Sequence, residues 1–170
     1  MELRTPQLAE EEEIHTLVSE AFGDEGPLIC ELVSEMLLEP RCRLWVARNP
    51  GLEGIVGISE ARLESKPKEA IWILAPLAVK TSSQGMGVGG SLVSHCLQQL
   101  NNEGATGVFV YGDPDYYGRF GFDQESASQV SAPFPLEYPE GWLALWWKSL
   151  NPSATERLAV MGPLNKPDLW

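Results

Sequence analysis

Cysteine, histidine and basic residues are all scarce in this sequence of 170 residues. Its three cysteines, Cys30, Cys42 and Cys96, are an odd number without a Cys-x-x-Cys spacing, so neither a disulfide framework nor a cysteine-rich zinc site is expected. The two histidines form no His-x-x-x-His pair, and no metal site is predicted. With 12 Lys and Arg against 24 Asp and Glu, the formal net charge is -12. This charge argues against a nucleic-acid partner, because phosphate backbones are bound chiefly by basic side chains.

Long apolar runs are also absent, since no stretch approaches the roughly 20 apolar residues that cross a bilayer. The segment from Met1 to Glu13 is acidic and lacks the basic start and apolar core of a secretory signal. A cytoplasmic protein without a membrane partner is therefore expected. The length predicts one domain over residues 1–170, in which residues 151–170, with three prolines and no clear period, form an irregular C-terminal extension.

Apolar residues at helical spacing predict two helices near the N-terminus. Thr5 and Pro6 would be the N-cap and the first residue of one helix, whose buried face begins at Ile14. The same spacing returns from Leu28 and stops at Pro40, which cannot continue a helix.

The pattern then changes to that of strands. Period-two alternation and short apolar runs predict three antiparallel strands at Arg43–Arg48, Gly54–Leu63 and Ala70–Val79. A helix from Gly89 and a strand at Gly107–Tyr111 follow, so the third strand and this one form a parallel pair joined by a helix. A short turn or helix and two further strands are predicted at Asp115–Phe120, Ser128–Pro133 and Trp142–Lys148. The sequence therefore predicts an α/β (α+β) fold with a mixed, mostly antiparallel sheet flanked by helices.

The segment Gln84-Gly85-Met86-Gly87-Val88-Gly89-Gly90 lies between a predicted strand and a predicted helix. Several backbone N–H groups can point into one concavity at the start of such a helix, which makes a site for phosphate. Glycine suits this place because a Cβ would hold the anion away from the amides, and because some of the residues are expected to need positive φ. A glycine-rich connection without a ligand is the structural alternative.

The same residues also satisfy a dinucleotide-binding pattern. Gly85, Gly87 and Gly90 match G-x-G-x-x-G, and Asp113 follows beyond the next strand in the place of a ribose-binding acid. That fingerprint should follow its strand directly, whereas Lys80 to Ser83 intervene, and the remaining sequence supplies no second βαβ half. A dinucleotide-binding oxidoreductase is therefore kept only as an alternative.

A second pattern, Q-x-x-G-x-G at Gln84, Gly87 and Gly89, follows the run Leu-Ala-Pro-Leu-Ala-Val at Leu74–Val79. A further motif, Val-Tyr-Gly-Asp-Pro-Asp-Tyr-Tyr-Gly-Arg-Phe-Gly-Phe, occupies Val110–Phe122. With these motifs the chain resembles the GNAT superfamily of N-acetyltransferases and, within it, bacterial acetyltransferases of the YhbS type. Two separated motifs in the correct order make the resemblance specific.

This resemblance implies a binding cleft for acetyl-coenzyme A (acetyl-CoA). In the superfamily, the parallel strand pair splays at a bulge, where Pro76 is acceptable because proline cannot donate to a strand ladder. The pantetheine arm would pair with the strand backbone, and the pyrophosphate would lie on the glycine-rich turn. The cofactor-binding residues implied are Leu77, Ala78, Val79, Gln84, Gly85, Met86, Gly87, Val88, Gly89, Gly90 and Ser91.

The resemblance also implies a catalytic acid, since Tyr117 occupies the place of a tyrosine that can donate a proton to the departing thiolate. Packing of this residue and its tyrosine neighbour against the short helix is the structural alternative. The oxyanion would be bound by the backbone N–H of Ala78 or Val79. No inward carboxylate identifies the general base, for which Glu60, Asp113 and a water chain stay open.

The predicted function is acetyl-CoA-dependent N-acetyltransfer, by direct attack, to the amine of a small molecule or of a peptide amino terminus. A CoA-binding module without catalysis is an alternative from another class. The acceptor loops would lie near Ala21–Pro27 and Ser131–Trp142, where no motif identifies the acceptor. The apolar segment Trp142–Trp147 predicts a buried strand, with an acceptor pocket or a dimer contact as alternatives, so both a monomer and a homodimer stay open.

Overall fold

The computed structural model describes residues 1–149 and 155–170. Its strands are β1 (Glu2–Arg4), β2 (Cys42–Arg48), β3 (Leu52–Leu63), β4 (Lys66–Val79), β5 (Gly107–Tyr111), β6 (Val130–Ser131), β7 (Trp142–Trp146) and β8 (Glu156–Val160). Its α-helices are α1 (Glu11–Phe22), α2 (Gly26–Leu38), α3 (Val88–Asn102), α4 (Pro114–Gly118) and α5 (Gln124–Ala127). None of these described helices is long and apolar enough to span a membrane.

The described residues form two compact units. The first consists of Met1–Ile58 and Ala75–Gln98, and the second of Ser59–Leu74 and Gln99–Trp170. Strands β3 and β4 and helix α3 contribute residues to both units, because the boundaries fall within these elements. The single domain expected over residues 1–170 stays a prediction.

In the first unit, the strands lie in the order β1-β2-β3-β4, and α1 packs against α2. β1 runs antiparallel to β2, with Leu3 opposite Ala47. Gly26 in the first turn of α2 allows the two helices to approach, because a Cβ there would lie 2.9 Å from the Cα of Ser19. Fully buried apolar side chains of this unit include Ile14, Val18, Val33, Val46, Ile55 and Leu92.

The first helix begins later than the sequence predicted. Thr5 precedes it by several residues, and α1 begins at Glu11 after a 3-10 turn that ends at Glu10. The carboxylate of Glu10 accepts a hydrogen bond of 2.7 Å from the backbone N–H of Gln7. This bond closes the turn before the helix, so the prediction of Thr5 as the N-cap was wrong.

In the second unit, β4 and β5 form a parallel pair in which Ile71–Ile73 lie opposite Gly107–Phe109. β7 runs antiparallel to β5, with Trp142 opposite Tyr111. β8 pairs antiparallel with β3 and parallel with β6. Aromatic packing fills the interior of this unit, since the ring of Phe109 stacks on that of Trp142 with centroids 5.1 Å apart.

The C-terminal extension differs from the prediction, because Glu156–Val160 form a strand rather than irregular chain. Leu158 is fully buried, and the neighbouring Arg157 is exposed, as expected for a strand with one face inward. The hydroxyl of Ser65 donates a hydrogen bond to the buried carboxylate of Glu156, which satisfies this acidic group inside the unit. Residues 151–154 of the predicted extension lie outside the described residues.

The predicted fold class is confirmed. The structure is mixed α/β, with mostly antiparallel strands, the parallel pair β4–β5 and flanking helices. β5 has the predicted bounds, Gly107–Tyr111. The strand expected near Ser128–Pro133 is reduced to Val130–Ser131, and the nearby Pro133 lacks an N–H that could extend the ladder.

Candidate functional site

The glycine-rich turn connects the end of β4 to the start of α3. A short 3-10 turn at Thr81–Ser83 follows β4, and α3 begins at Val88. Between them, Gly85 and Gly87 have φ of 77° and 83°, in the left-handed region that favours glycine. A Cβ at either glycine would meet no atom within 4 Å, so the backbone conformation, and not crowding, requires glycine here. The expectation that some residues of the turn need positive φ is confirmed.

The N-terminus of α3 directly follows this turn. Gly89 and Gly90 lie in its first turn, and Ser91 N donates to Gly87 O at 2.9 Å. The N–H groups that precede Ser91 in the helix have no intrahelical acceptor by geometry, and the helix dipole adds a partial positive charge at this end. The first turn of α3 contains no acidic side chain that would oppose an anion. The segment can therefore bind an anion such as phosphate.

Glu53 of β3 holds the start of the turn. Its backbone oxygen accepts a 2.9 Å hydrogen bond from Lys80 N, and its carboxylate accepts one from the buried Ser83 hydroxyl. The side-chain amide of Gln84 donates to Val79 O at 3.2 Å. Sequence reasoning missed Glu53 and Ser83, because no motif marks them and their contact depends on β3 lying beside β4.

The last three residues of β4 are the predicted binding segment for the pantetheine arm. Ala78 is 2 % exposed, and Leu77 and Val79 are half-buried. Gly54 of β3 makes room for this backbone, since a Cβ there would lie 2.9 Å from Ala78 O. The Ala75-Pro76 peptide bond just before this segment is cis. Ligand recognition by this segment would use main-chain N–H and C=O groups, so it does not require special side chains.

Met86, between the two left-handed glycines, is a large apolar side chain that is 75 % exposed. Its neighbours Gln84, Gly85 and Gly87 are exposed as well, whereas Val88 is buried. The turn thus presents backbone amides and one flexible apolar side chain at an accessible position, which suits contact with a ligand that has both phosphate and apolar parts.

Tyr117 belongs to α4 in the second unit and is 9 % exposed. Its ring packs edge-on against Phe122 at 5.7 Å and Tyr116 at 5.0 Å between centroids. Gly112 leaves space for the ring, because a Cβ there would lie 2.5 Å from Tyr117 Cε2. These contacts orient the ring, and the catalytic role of Tyr117 stays a prediction.

The structure also gives the environments of the two candidate bases and of the buried cysteine Cys96. The Asp113 carboxylate caps α4 by accepting a 2.9 Å hydrogen bond from Asp115 N, and Glu60 is half-buried on β3. Burial raises the pKa of the Cys96 thiol to about 12, so this cysteine is not a nucleophile at neutral pH. Among residues 1–149 and 155–170, no group of three or more His, Cys, Asp and Glu side chains is placed to hold a metal ion.

The intervening 3-10 turn also bears on the dinucleotide-binding alternative. Because Thr81–Ser83 separate β4 from Gly85, the first glycine does not follow its strand as that fingerprint requires. The arrangement instead agrees with the Q-x-x-G-x-G pattern.

Known proteins with a similar sequence are acetyltransferases. Residues 40–124 match the model of the acetyltransferase (GNAT) domain. The chain is 32% identical to YjhQ, an uncharacterized N-acetyltransferase of Escherichia coli K12, over 137 residues that cover 79% of this chain and 75% of YjhQ. It is 37% identical to YhbS, another uncharacterized N-acetyltransferase of E. coli K12, over 65 residues that cover 38% of this chain and 39% of YhbS.

Solved structures show the same fold. The crystal structure of E. coli YhbS in complex with CoA aligns with a TM-score of 0.83 at 22% identity, covering 97% of this chain and 92% of that one. A GNAT acetyltransferase of Brucella melitensis in complex with acetyl-CoA aligns with a TM-score of 0.75 at 24% identity, covering 96% of this chain and 97% of that one. On the evidence of the domain match, the YjhQ relationship and this shared fold, the chain belongs to the GNAT family of N-acetyltransferases.

Proposed function

We propose that this protein transfers an acetyl group from acetyl-CoA to the amine of a small molecule or of a peptide amino terminus. The observation that supports it most is the pair of left-handed glycines, Gly85 and Gly87, directly before the N-terminus of α3. Family membership supports the reaction class. A cytoplasmic location and a monomeric or homodimeric state belong to the same proposal.

The residues of the turn fit the diphosphate of CoA. Open space beside Gly85 and Gly87 lets an anion approach the main chain. The first N–H groups of α3 can donate to it without losing an intrahelical bond. The Glu53 contacts with Lys80 and Ser83 hold the residues that lead into the turn, which lowers the entropy cost of ordering it when a ligand binds.

The end of β4 is proposed to bind the pantetheine arm through its backbone. When bound, acetyl-CoA supplies an activated carbonyl carbon that an amine can attack. The N–H of Ala78 or Val79 would then donate to the oxygen on which negative charge develops. Since main-chain donors serve this purpose, the small or aliphatic side chains of Leu77, Ala78 and Val79 are sufficient.

Tyr117 is proposed to hold the proton that the departing sulfur takes up. A phenol keeps its proton at neutral pH, and the contacts with Phe122 and Tyr116 orient this ring. The base that receives the amine proton is proposed to be Glu60 or a water chain, because the Asp113 carboxylate is already used as the cap of α4.

Calorimetric titration with acetyl-CoA tests the proposal, with NAD as a parallel control. We expect micromolar binding of acetyl-CoA and none of NAD. A panel of amines with colorimetric detection of the released thiol then tests transfer. Absence of acetyl-CoA binding would refute the cofactor site. Binding without transfer to any amine of the panel would favour the non-catalytic CoA-binding module.

A further inference from the structure

A groove of about 880 Å³ lies within the second unit, partly along Ser131–Trp142, where the sequence predicts an acceptor loop. Its walls come from the chain that runs from α5 to Trp142, the first residue of β7, together with Arg157 of β8. The volume falls in the range of about 300–1,000 Å³ that is typical of small-molecule sites. No residue of this groove belongs to the glycine-rich turn or to α4.

Two aromatic side chains, Phe134 and Trp142, line the groove. Trp142 is 6 % exposed, and its indole N–H donates a 2.7 Å hydrogen bond to Val130 O. The ring of Trp170 packs edge-on against that of Trp142, with centroids 5.9 Å apart, and its centroid lies 6.4 Å from that of Phe134. These contacts hold the aromatic surface in place. Three prolines with restricted φ complete the walls, namely Pro133, Pro135 and Pro139.

A charged side chain is also fixed at the groove. Arg157 of β8 donates from one guanidinium nitrogen to Pro133 O at 2.7 Å, which fastens its planar group to the wall. Within the described parts of the chain, no carboxylate lies within ion-pair distance of Arg157. The rest of the guanidinium can therefore bind an anion, and its geometry matches a carboxylate.

Glu125 of α5 is the acidic residue in the lining. It is exposed, and among the described residues its carboxylate has no hydrogen-bond partner. The fixed charge at the groove is thus that of Arg157, and the negative charge of Glu125 is free to move into solvent. The electrostatics favour a ligand with one negative group.

We propose that this groove binds a small molecule with an apolar, preferably aromatic, body and one carboxylate. The body would lie against Phe134 and Trp142, and the carboxylate would bind the guanidinium of Arg157. This site stands on the second unit alone, so its test requires neither acetyl-CoA nor acetyl transfer.

Three probes of nearly the same shape test the charge preference: 3-phenylpropionate, 3-phenylpropylamine and 3-phenylpropanol. Ligand-observed NMR and calorimetry with the full chain measure their binding. We expect the acid to bind most tightly, with the neutral alcohol weaker and the cationic amine weakest. Tighter binding of the amine than of the acid, or no binding of any probe, would overturn the proposal.

Substitutions identify the anchor. Arg157→Gln should weaken binding of the acid about tenfold, the loss expected for one charged hydrogen-bonding group, and leave the alcohol unchanged. The affinity of the Arg157→Lys protein for the acid should fall between those of the wild type and the Arg157→Gln protein. Glu125→Gln should leave binding of the acid unchanged or tighten it. Arg62→Gln, an exposed arginine of β3 with the same charge change, is the matched control and should have no effect. Equal acid affinity in the Arg157→Gln and Arg62→Gln proteins would contradict the assignment, and thermal unfolding checks that each variant is folded.

Discussion

The hydroxyl of Ser83 donates a hydrogen bond to the carboxylate of Glu53, and the backbone oxygen of the same Glu53 accepts a 2.9 Å hydrogen bond from the backbone N–H of Lys80. Two bonds to one residue of β3 thus hold the chain where it leaves β4 and enters the glycine-rich turn. Neither Glu53 nor Ser83 belongs to the motif itself. Residues outside the motif therefore position the turn. We expect Glu53 and Ser83 to affect the affinity for the cofactor without taking part in the chemistry.

Ser83→Ala should raise the dissociation constant of acetyl-CoA about three- to tenfold, which is the effect of losing one hydrogen bond that orders the turn. The turnover number at saturating acetyl-CoA should stay near that of the wild type. Ser82→Ala is the matched control, because Ser82 is the exposed neighbour. Glu53→Gln keeps an oxygen acceptor and should be milder than Glu53→Ala. Equal affinities for the Ser83→Ala and Ser82→Ala proteins would contradict a positioning role.

Gly87→Ala should weaken acetyl-CoA binding about tenfold or more, and destabilise the fold by only about 1 kcal/mol, because alanine disfavours the φ of 83° found there. Calorimetric titration and thermal unfolding measure the two effects. Gly51→Ala is the control, since a Cβ at Gly51 also meets open space and its φ is not left-handed. Unchanged acetyl-CoA affinity in the Gly87→Ala protein would remove the turn as the phosphate site.

The glycine-rich turn and the unit around it could be predicted because their signals are local. The helical spacing after Gly89 and the short apolar run at Gly107–Tyr111 are both present in a few consecutive residues. The φ requirement also follows from the residue type, as Gly85 and Gly87 confirm.

The parts that sequence reasoning missed depend on partners far away in the chain. β8 is a strand because Ala61 of β3 lies opposite Val160, and its five residues alone carry too weak an alternation to predict it. The start of α1 was misplaced because the contact of Glu10 with Gln7 outweighed the capping signal of Thr5. Gly54 has no motif, and its role is visible only when Ala78 O lies beside it.

The stability of the folded protein at acidic pH should depend on Glu10. The hydrogen bond from the Arg4 guanidinium, with that from Gln7 N, lowers the pKa of Glu10 from its ordinary value of 4.5 to about 2. A lowered pKa in the folded state means that the stabilisation is present above pH 4.5 and is lost as the pH falls towards 2.

Glu10→Gln should therefore lower the Tm at pH 6 by about 3 °C, the shift that a loss of ~1 kcal/mol gives at this chain length. The difference in Tm between this variant and the wild type should shrink as the pH falls from 4.5 to 2. Glu12→Gln, an exposed position in the first turn of α1, should change the Tm little at any pH. A constant Tm difference down to pH 2 would contradict the role of the ionised Glu10.

Tyr117→Phe should lower the turnover number about 100-fold or more, the contribution typical of a general acid, and leave the acetyl-CoA dissociation constant nearly unchanged. Phenylalanine keeps the ring contact with Phe122, so the fold should survive. Tyr116→Phe is the matched control within α4, because Tyr116 loses the same hydroxyl group but is not the residue implied as the acid. If Tyr117→Phe retains wild-type turnover, or if both variants lose it equally, the ring of Tyr117 serves packing alone and the proton for the departing sulfur must come from water.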